Sequence, residues 1–142
     1  MKIAMACDHA GYDMKVALVG YLREKGHEVT DLGSFTPEPS DYPDFGHKLA
    51  IHIASKKSAY GISLCGSGNG INMTVNKHPL IRSALCWNEE IAELARKHND
   101  ANICALPARF ISIEQAIRIV ERFLSSSFEG GRHKRRIDKI PI

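Results

Sequence analysis

Tyr60-Gly61-Ile62-Ser63-Leu64-Cys65-Gly66-Ser67-Gly68-Asn69-Gly70 decides how this chain reads. Residues 62–65 form a short apolar run bounded by glycine, as expected of a buried strand. Gly66, Gly68 and Gly70 leave the next loop almost free of side chains, and residues 69–76 return to helical spacing. A strand, a glycine-rich turn and a helix start together present backbone N–H groups to an anion. Cys65 stands at the strand exit, where its thiol faces the space above a sheet.

On either side of this unit the pattern alternates between strand and helix. Strands are expected at residues 3–7, 29–32 and 102–106 and within 82–87, in addition to 62–65. The helix after strand one carries Met14, Leu18, Tyr21 and Leu22 on one face and stops at Gly26. A second helix over 44–56 follows the longest loop, 33–44, which holds Pro37, Pro39 and Pro43. Asn88 caps a third, with Ile91, Leu94 and Ala95 inward. Ser112 and Gln115 form a capping box for a fourth, whose face is Ile113, Ala116, Ile117, Val120 and Leu124. A last short helix follows Gly130-Gly131. Alternating βα units imply a three-layer α/β/α sandwich around a five-stranded, Rossmann-like parallel sheet. No repeat or linker divides residues 1–142, so one domain is expected, with a basic segment from about 129. In such sheets ligands bind beyond the carboxyl ends of the strands. Asp8-His9, residues 65–70, Trp87 and 107–109 should therefore gather at one edge.

Charge narrows the partners. Through Phe128 the chain has 14 basic and 14 acidic side chains, so the net charge of +3 comes from the last segment. That segment lacks the interleaved aromatics that stack on single-stranded nucleic acid. No apolar run is long enough for a bilayer span, which leaves a cytoplasmic protein as the expectation. Cys7, Cys65, Cys86 and Cys104 contain no C-x-x-C pair and read as reduced thiols, three of them small buried hydrophobes.

The chemistry-bearing residues admit two readings each. The glycine loop is an oxyanion cradle or a tight turn. Cys65 is a core residue or a base activated by backbone N–H groups. His98, before Asn99-Asp100-Ala101-Asn102, is a half-buried histidine or an acid/base. His27, His47, His52 and His78 have no partner spacing and read as surface residues. No spacing suggests a metal-ligand set, so neither metal nor other cofactor is expected. Arg132 and Arg136, four apart, share a helix face suited to one phosphate.

Taken in order, Ala6-Cys7-Asp8-His9-Ala10-Gly11, Asp41-Tyr42-Pro43, Cys65 to Gly70, Asn76-Lys77, Arg96 to Asn102 and Glu129-Gly130-Gly131-Arg132-His133-x-x-Arg136 resemble the type B ribose-5-phosphate isomerases. That superfamily also contains the galactose-6-phosphate isomerase subunits, and the resemblance spans nearly the whole chain. It implies metal-independent interconversion of ribose 5-phosphate and ribulose 5-phosphate through a cis-enediolate. Cys65 would be the base. N–H groups of Gly66, Gly68, Asn69 and Gly70 would hold the oxyanion, with the Ser67 hydroxyl assisting. His98 would open the furanose ring, Asp8 and Asn99 would position hydroxyls, and Tyr42 would line the site. His9, Arg109, Arg132 and Arg136 would hold the phosphate. The resemblance also implies a homodimer with shared sites, or a tetramer of such dimers.

Three positions depart from the family pattern: Ser67 where Thr is frequent, Asn69 where a small apolar residue is usual, and Pro107 where Gly is common. Some relatives place a carboxylate base elsewhere in this loop, but here no Asp or Glu occurs between Ala59 and Trp87, which favours the thiol. The competing readings are an isomerase of allose 6-phosphate or galactose 6-phosphate and, in a different class, a non-catalytic phosphate-binding module.

Overall fold

The five strands are β1 (Lys2–Cys7), β2 (Glu28–Asp31), β3 (Tyr60–Cys65), β4 (Ser83–Leu85) and β5 (Ile103–Pro107). Between and after them run α1 (Tyr12–Glu24), α2 (Tyr42–Ala54), α3 (Asn69–Val75), α4 (Glu89–Asn99), α5 (Ile113–Ser125) and α6 (Arg132–Ile137). This computed structural model describes residues 1–142. All strand pairs are parallel, in the order β2-β1-β3-β5-β4. The expected three-layer sandwich is what forms, and no helix is long and apolar enough to cross a membrane.

Strand alternation sorts the side chains into two unlike faces. Ile3, Met5, Cys7, Ile62, Leu64, Cys104 and Leu106 join α1, α4 and α5 in the larger core. The opposite face carries Ala4, Ala6 and Ile103 against Leu49, Ala50 and Ile53 of α2 and Val75 of α3. Gly61 belongs to this thin side: a Cβ there would lie 3.0 Å from Ile103, 3.1 Å from Ile53 and 3.2 Å from Leu49. Small residues on the strands let α2 press close to the sheet.

The strand order fixes where a ligand can sit. β1 exits to the α1 side, β3 to the α3 side and β5 to the α5 side, so the chain leaves β3 on the face opposite its neighbours on either hand. Crevices therefore open beside Cys65 both toward β1 and toward β5.

Several helix faces differ from the expectation. On α1, Lys15 is buried along with Met14, Leu18, Val19 and Leu22. On α4 the buried residues are Ala92, Ala95 and Arg96, while Ile91 packs at the margin. Arg96 can turn inward because its guanidinium donates to Asp100 Oδ1 (2.9 Å), Ala101 O (2.7 Å) and the Tyr60 hydroxyl (3.0 Å). On α5, Ile119 and Phe123 join Ala116 and Val120, and Ile113 is exposed. The capping box there is half formed. Ser112 Oγ accepts from the Gln115 N–H, but the Gln115 amide donates to Trp87 O. Helix α2 begins at Tyr42, two residues earlier than expected, with Pro43 in its first turn where a missing N–H costs nothing.

Lys15 anchors the long loop before α2. The residue is only 1% exposed, and its Nζ donates to both Asp31 oxygens (2.6 and 2.7 Å) and to Ser34 O (2.7 Å). Removing the cation would leave Asp31 and a buried carbonyl without their partner. Lys15→Ala should lower stability by about 3 kcal/mol, read as a lower urea midpoint at unchanged slope.

Candidate active site

Asp8, His9, Tyr42, the Cys65 loop and Arg109 meet at the carboxyl edge of the sheet, as the topology required. The Asp8 N–H donates to Leu64 O (3.3 Å), joining the β1 exit to β3. Asp8 Oδ1 accepts from the Ala10 and Gly11 N–H groups, which caps the short 3-10 turn His9–Gly11. His9 is held from both sides by Ser40: the His9 N–H donates to Ser40 Oγ and the Ser40 N–H donates to His9 Nδ1, each at 3.1 Å. With Nδ1 accepting, the neutral ring carries its proton on Nε2, ready to donate to an anion. Ser40, from the proline-rich loop, was not legible as a site residue.

Cys65 ends β3 on the thin face of the sheet, buried but at 4% exposure not sealed like Cys7, Cys86 and Cys104 at 0%. All four thiols are free. Burial pushes the Cys7 thiol up to about 11, against the lowering effect of Lys15. Cys104 is raised as well, first by its hydrogen bond with Cys86 and then by burial. Both suit the expected role of small hydrophobes.

The loop after Cys65 is braced from the β5 side. Cys65 O accepts from Ala108 N–H and Gly66 O from Arg109 N–H, both at 3.0 Å. Arg109 also lays its guanidinium over Gly66, 3.2 Å from where a Cβ would stand. Gly68 has φ +76°, and a Cβ there would meet Leu85 at 2.5 Å and Leu106 backbone at 3.1 Å, so only glycine fits. The Tyr42 ring closes over Gly70, 2.5 Å from its would-be Cβ. Within the loop, Asn69 N–H donates to Ser67 Oγ at 3.3 Å, whereas the N–H groups of Gly66, Ser67, Gly68 and Gly70 donate to no acceptor of the chain. The tight-turn reading of this loop holds, and the turn also leaves backbone donors free.

His98, Asn99, Arg132 and Arg136 lie elsewhere. Helix α4 runs back from β4, so its C-terminal end reaches the amino edge of the sheet, where Arg96 bonds to Tyr60 at the start of β3. Five residue steps along β3 separate that edge from Cys65, roughly 16 Å. Helix α6 packs beside it, with Glu129 N–H donating to Lys97 O (3.0 Å). The expected site residues thus form two groups at opposite ends of one chain.

The second group holds a cluster that sequence spacing concealed. His98, Glu129 and His133 each offer a ligand atom within 4.8 Å of the others. The two imidazoles, however, are stacked at 4.2 Å with planes only 11° apart. Their lone pairs then run side by side rather than converging, which suits stacking better than chelation. The remaining histidines also have partners unseen in the sequence: His47 Nδ1 meets His78 Nε2 at 2.8 Å, and His52 meets Ser58 at 2.9 Å.

Known proteins match this architecture closely. A model described as ribose/galactose isomerase matches residues 3–140. Ribose-5-phosphate isomerase B of Escherichia coli (strain K12) is 40% identical over 139 residues, 98% of this chain and 93% of that one. A ribose 5-phosphate isomerase structure from Thermotoga maritima superposes with TM-score 0.97 at 48% identity, covering 99% of this chain and 97% of that one. The Mycoplasma genitalium ribose-5-phosphate isomerase B with bound ribulose-5-phosphate gives TM-score 0.94 at 40% identity, over 98% and 93% of the two chains. Matched in sequence and in fold along nearly its whole length, the chain belongs to the ribose/galactose isomerase family.

Proposed function

We propose that this chain interconverts D-ribose 5-phosphate and D-ribulose 5-phosphate, with Cys65 as the base. One observation carries the chemistry: a thiol at a strand exit followed by four backbone N–H groups with no acceptor of their own. The Cys65 thiolate takes the proton from C2 of the open-chain aldose and returns it to C1, while the proton of the O2 hydroxyl passes to O1. Negative charge collects on the enediolate oxygens in between, and the N–H groups of Gly66 to Gly70, with the Ser67 hydroxyl, stabilise it. Asp8 keeps one carboxylate oxygen unused by its turn and positions a sugar hydroxyl, while Tyr42 walls the site. His9 Nε2–H and Arg109 take part of the phosphate, whose binding energy orients the reacting carbons.

The remaining functions belong to the second group, roughly 16 Å away at the other edge. His98 opens the furanose ring, Asn99 positions a hydroxyl, and Arg132 and Arg136 complete the phosphate clamp. A two-fold homodimer joins the carboxyl edge of each chain to the amino edge of its partner and makes two shared sites. Phe35, Trp87 and Phe110, exposed large apolar residues in the loops of the carboxyl edge, suit such an interface. Both halves are present in this one chain, so a single kind of subunit suffices.

The test is turnover of ribose 5-phosphate by the purified protein in the presence of a chelator, with allose 6-phosphate in parallel. Ribulose 5-phosphate should form without added metal. Conversion of the hexose phosphate alone would keep the chemistry and replace the substrate. Binding without conversion of either sugar would leave only a phosphate-binding module.

A further inference from the structure

His98 does not stand alone at its edge. It projects from the last turn of α4 with its side chain 37% exposed, a setting in which an imidazole ordinarily samples several rotamers. Here the ring lies flat on His133, 4.2 Å away, and His98 Nε2 lies 3.7 Å from Glu129 Oε1. The partners are themselves fixed. Glu129 is tied to α4 by its N–H to Lys97 O, and Gly130 and Gly131 turn the chain with φ of +69° and +57°. That turn brings His133 under His98, with the His133 N–H donating to Gly130 O. Beneath, Arg96 locks the end of α4 to Asp100, Ala101 and Tyr60.

His133 is 5% exposed, yet its buried Nε2 has no hydrogen-bond partner. A buried polar atom left unpaired is costly, and a phenyl ring would fill the same space without that cost. Its pKa is lowered, first by burial and then by Arg132, His98 and Arg136, with Glu129 opposing.

We infer that His133 and Glu129 are positioning residues for His98: the stacked ring sets the plane of the catalytic imidazole and the carboxylate fixes which nitrogen faces the substrate. This rests on the proposed role of His98 in ring opening. In that step the imidazole accepts the proton of the anomeric O1 hydroxyl and a proton is delivered to ring oxygen O4. The C1–O4 bond breaks as C1=O forms. One ring must reach two oxygens, so its plane matters. Ribulose 5-phosphate makes no such demand: with its carbonyl at C2 and O5 esterified, it has no hydroxyl able to close a five-membered ring. Aldose turnover needs an oriented His98, whereas enolisation of the ketose does not.

The experiment compares the two directions in His133→Ala, His133→Phe and Glu129→Gln. His133→Ala should lower aldose-to-ketose turnover about tenfold to a hundredfold, mainly in kcat, because a misplaced group loses its orientational advantage. Turnover starting from ribulose 5-phosphate should change less than about threefold, within what small local adjustments cause. His133→Phe, which keeps a stacked plane, should recover most of the aldose rate. Glu129→Gln, half exposed and no threat to folding, should show the same directional split even where His133→Ala melts early. Equal slowing of both directions, or no slowing in either variant, overturns the inference. Cys65→Ala serves as the separate control: if it leaves both directions intact, the assignment of Cys65 as base fails and not the positioning.

Discussion

Cys65→Ala should reduce isomerase turnover by about a thousandfold or more, the scale of losing the group that moves the proton. No carboxylate of the loop itself can take over, since none occurs between Ala59 and Trp87. Binding should survive, because in the proposed site the phosphate is held by His9, Arg109 and the second group of residues. Stability should fall by only about 1 kcal/mol, as the change removes a single atom from a site that is 4% exposed. Cys65→Ser should be nearly as slow, because an alkyl hydroxyl is too weak an acid to supply the anion near neutral pH. A rate within tenfold of the unaltered protein in either variant would place the base elsewhere. Ribulose 5-phosphate affinity and the melting temperature, measured on the same samples, separate lost chemistry from lost fold.

Mixing two variants that are each inactive toward ribose 5-phosphate should restore activity on that substrate. Cys65→Ala destroys the first group and His98→Ala the second. If each site takes one group from each chain, a heterodimer of the two variants has one intact site and one doubly damaged site. Random exchange of equal amounts makes half of the dimers mixed, so recovery should approach about a quarter of normal activity. The exchange can be driven by unfolding and refolding the two variants together. No recovery, with mixed dimers demonstrated by a tag on one variant, would mean that each chain completes its own site. That outcome would also require α4 to move across the sheet, for which the locked Arg96 leaves little freedom.

Much of the first group was legible in the sequence because it depends on local rules. The strand exit, the alternating glycines and the Asp8 turn are each written within a few residues. The parallel sheet then gathers them without further information. The position of β5 between β3 and β4 was not legible, since hydrophobic runs report burial but not neighbours. Nor was the division of the site, because a motif such as Arg96 to Asn102 records chemistry and not which end of a helix it occupies. Apolar periodicity failed at Lys15 and Arg96, where hydrogen-bonded partners admit a charge to the core. It also shifted the face of α5 toward Ile113 at the expense of Phe123, because an apolar residue in a first turn can lie beyond the packed stripe. The His98–His133 stack joins residues 35 apart in sequence, a pairing that no spacing rule suggests.

The unequal faces of the sheet bear on how this sequence can drift. On the α1, α4 and α5 side, bulky residues meet bulky residues, and one can shrink as its neighbour grows. The α2 and α3 side offers no such exchange: Ala4, Ala6 and Gly61 have no volume to give up, and any gain pushes α2 outward. Tyr42, the first residue of α2, would then lift from Gly70 before the core itself came apart. On this face a lineage would lose turnover before it lost its fold, so selection on catalysis, acting through the width of a methyl group, keeps these positions small.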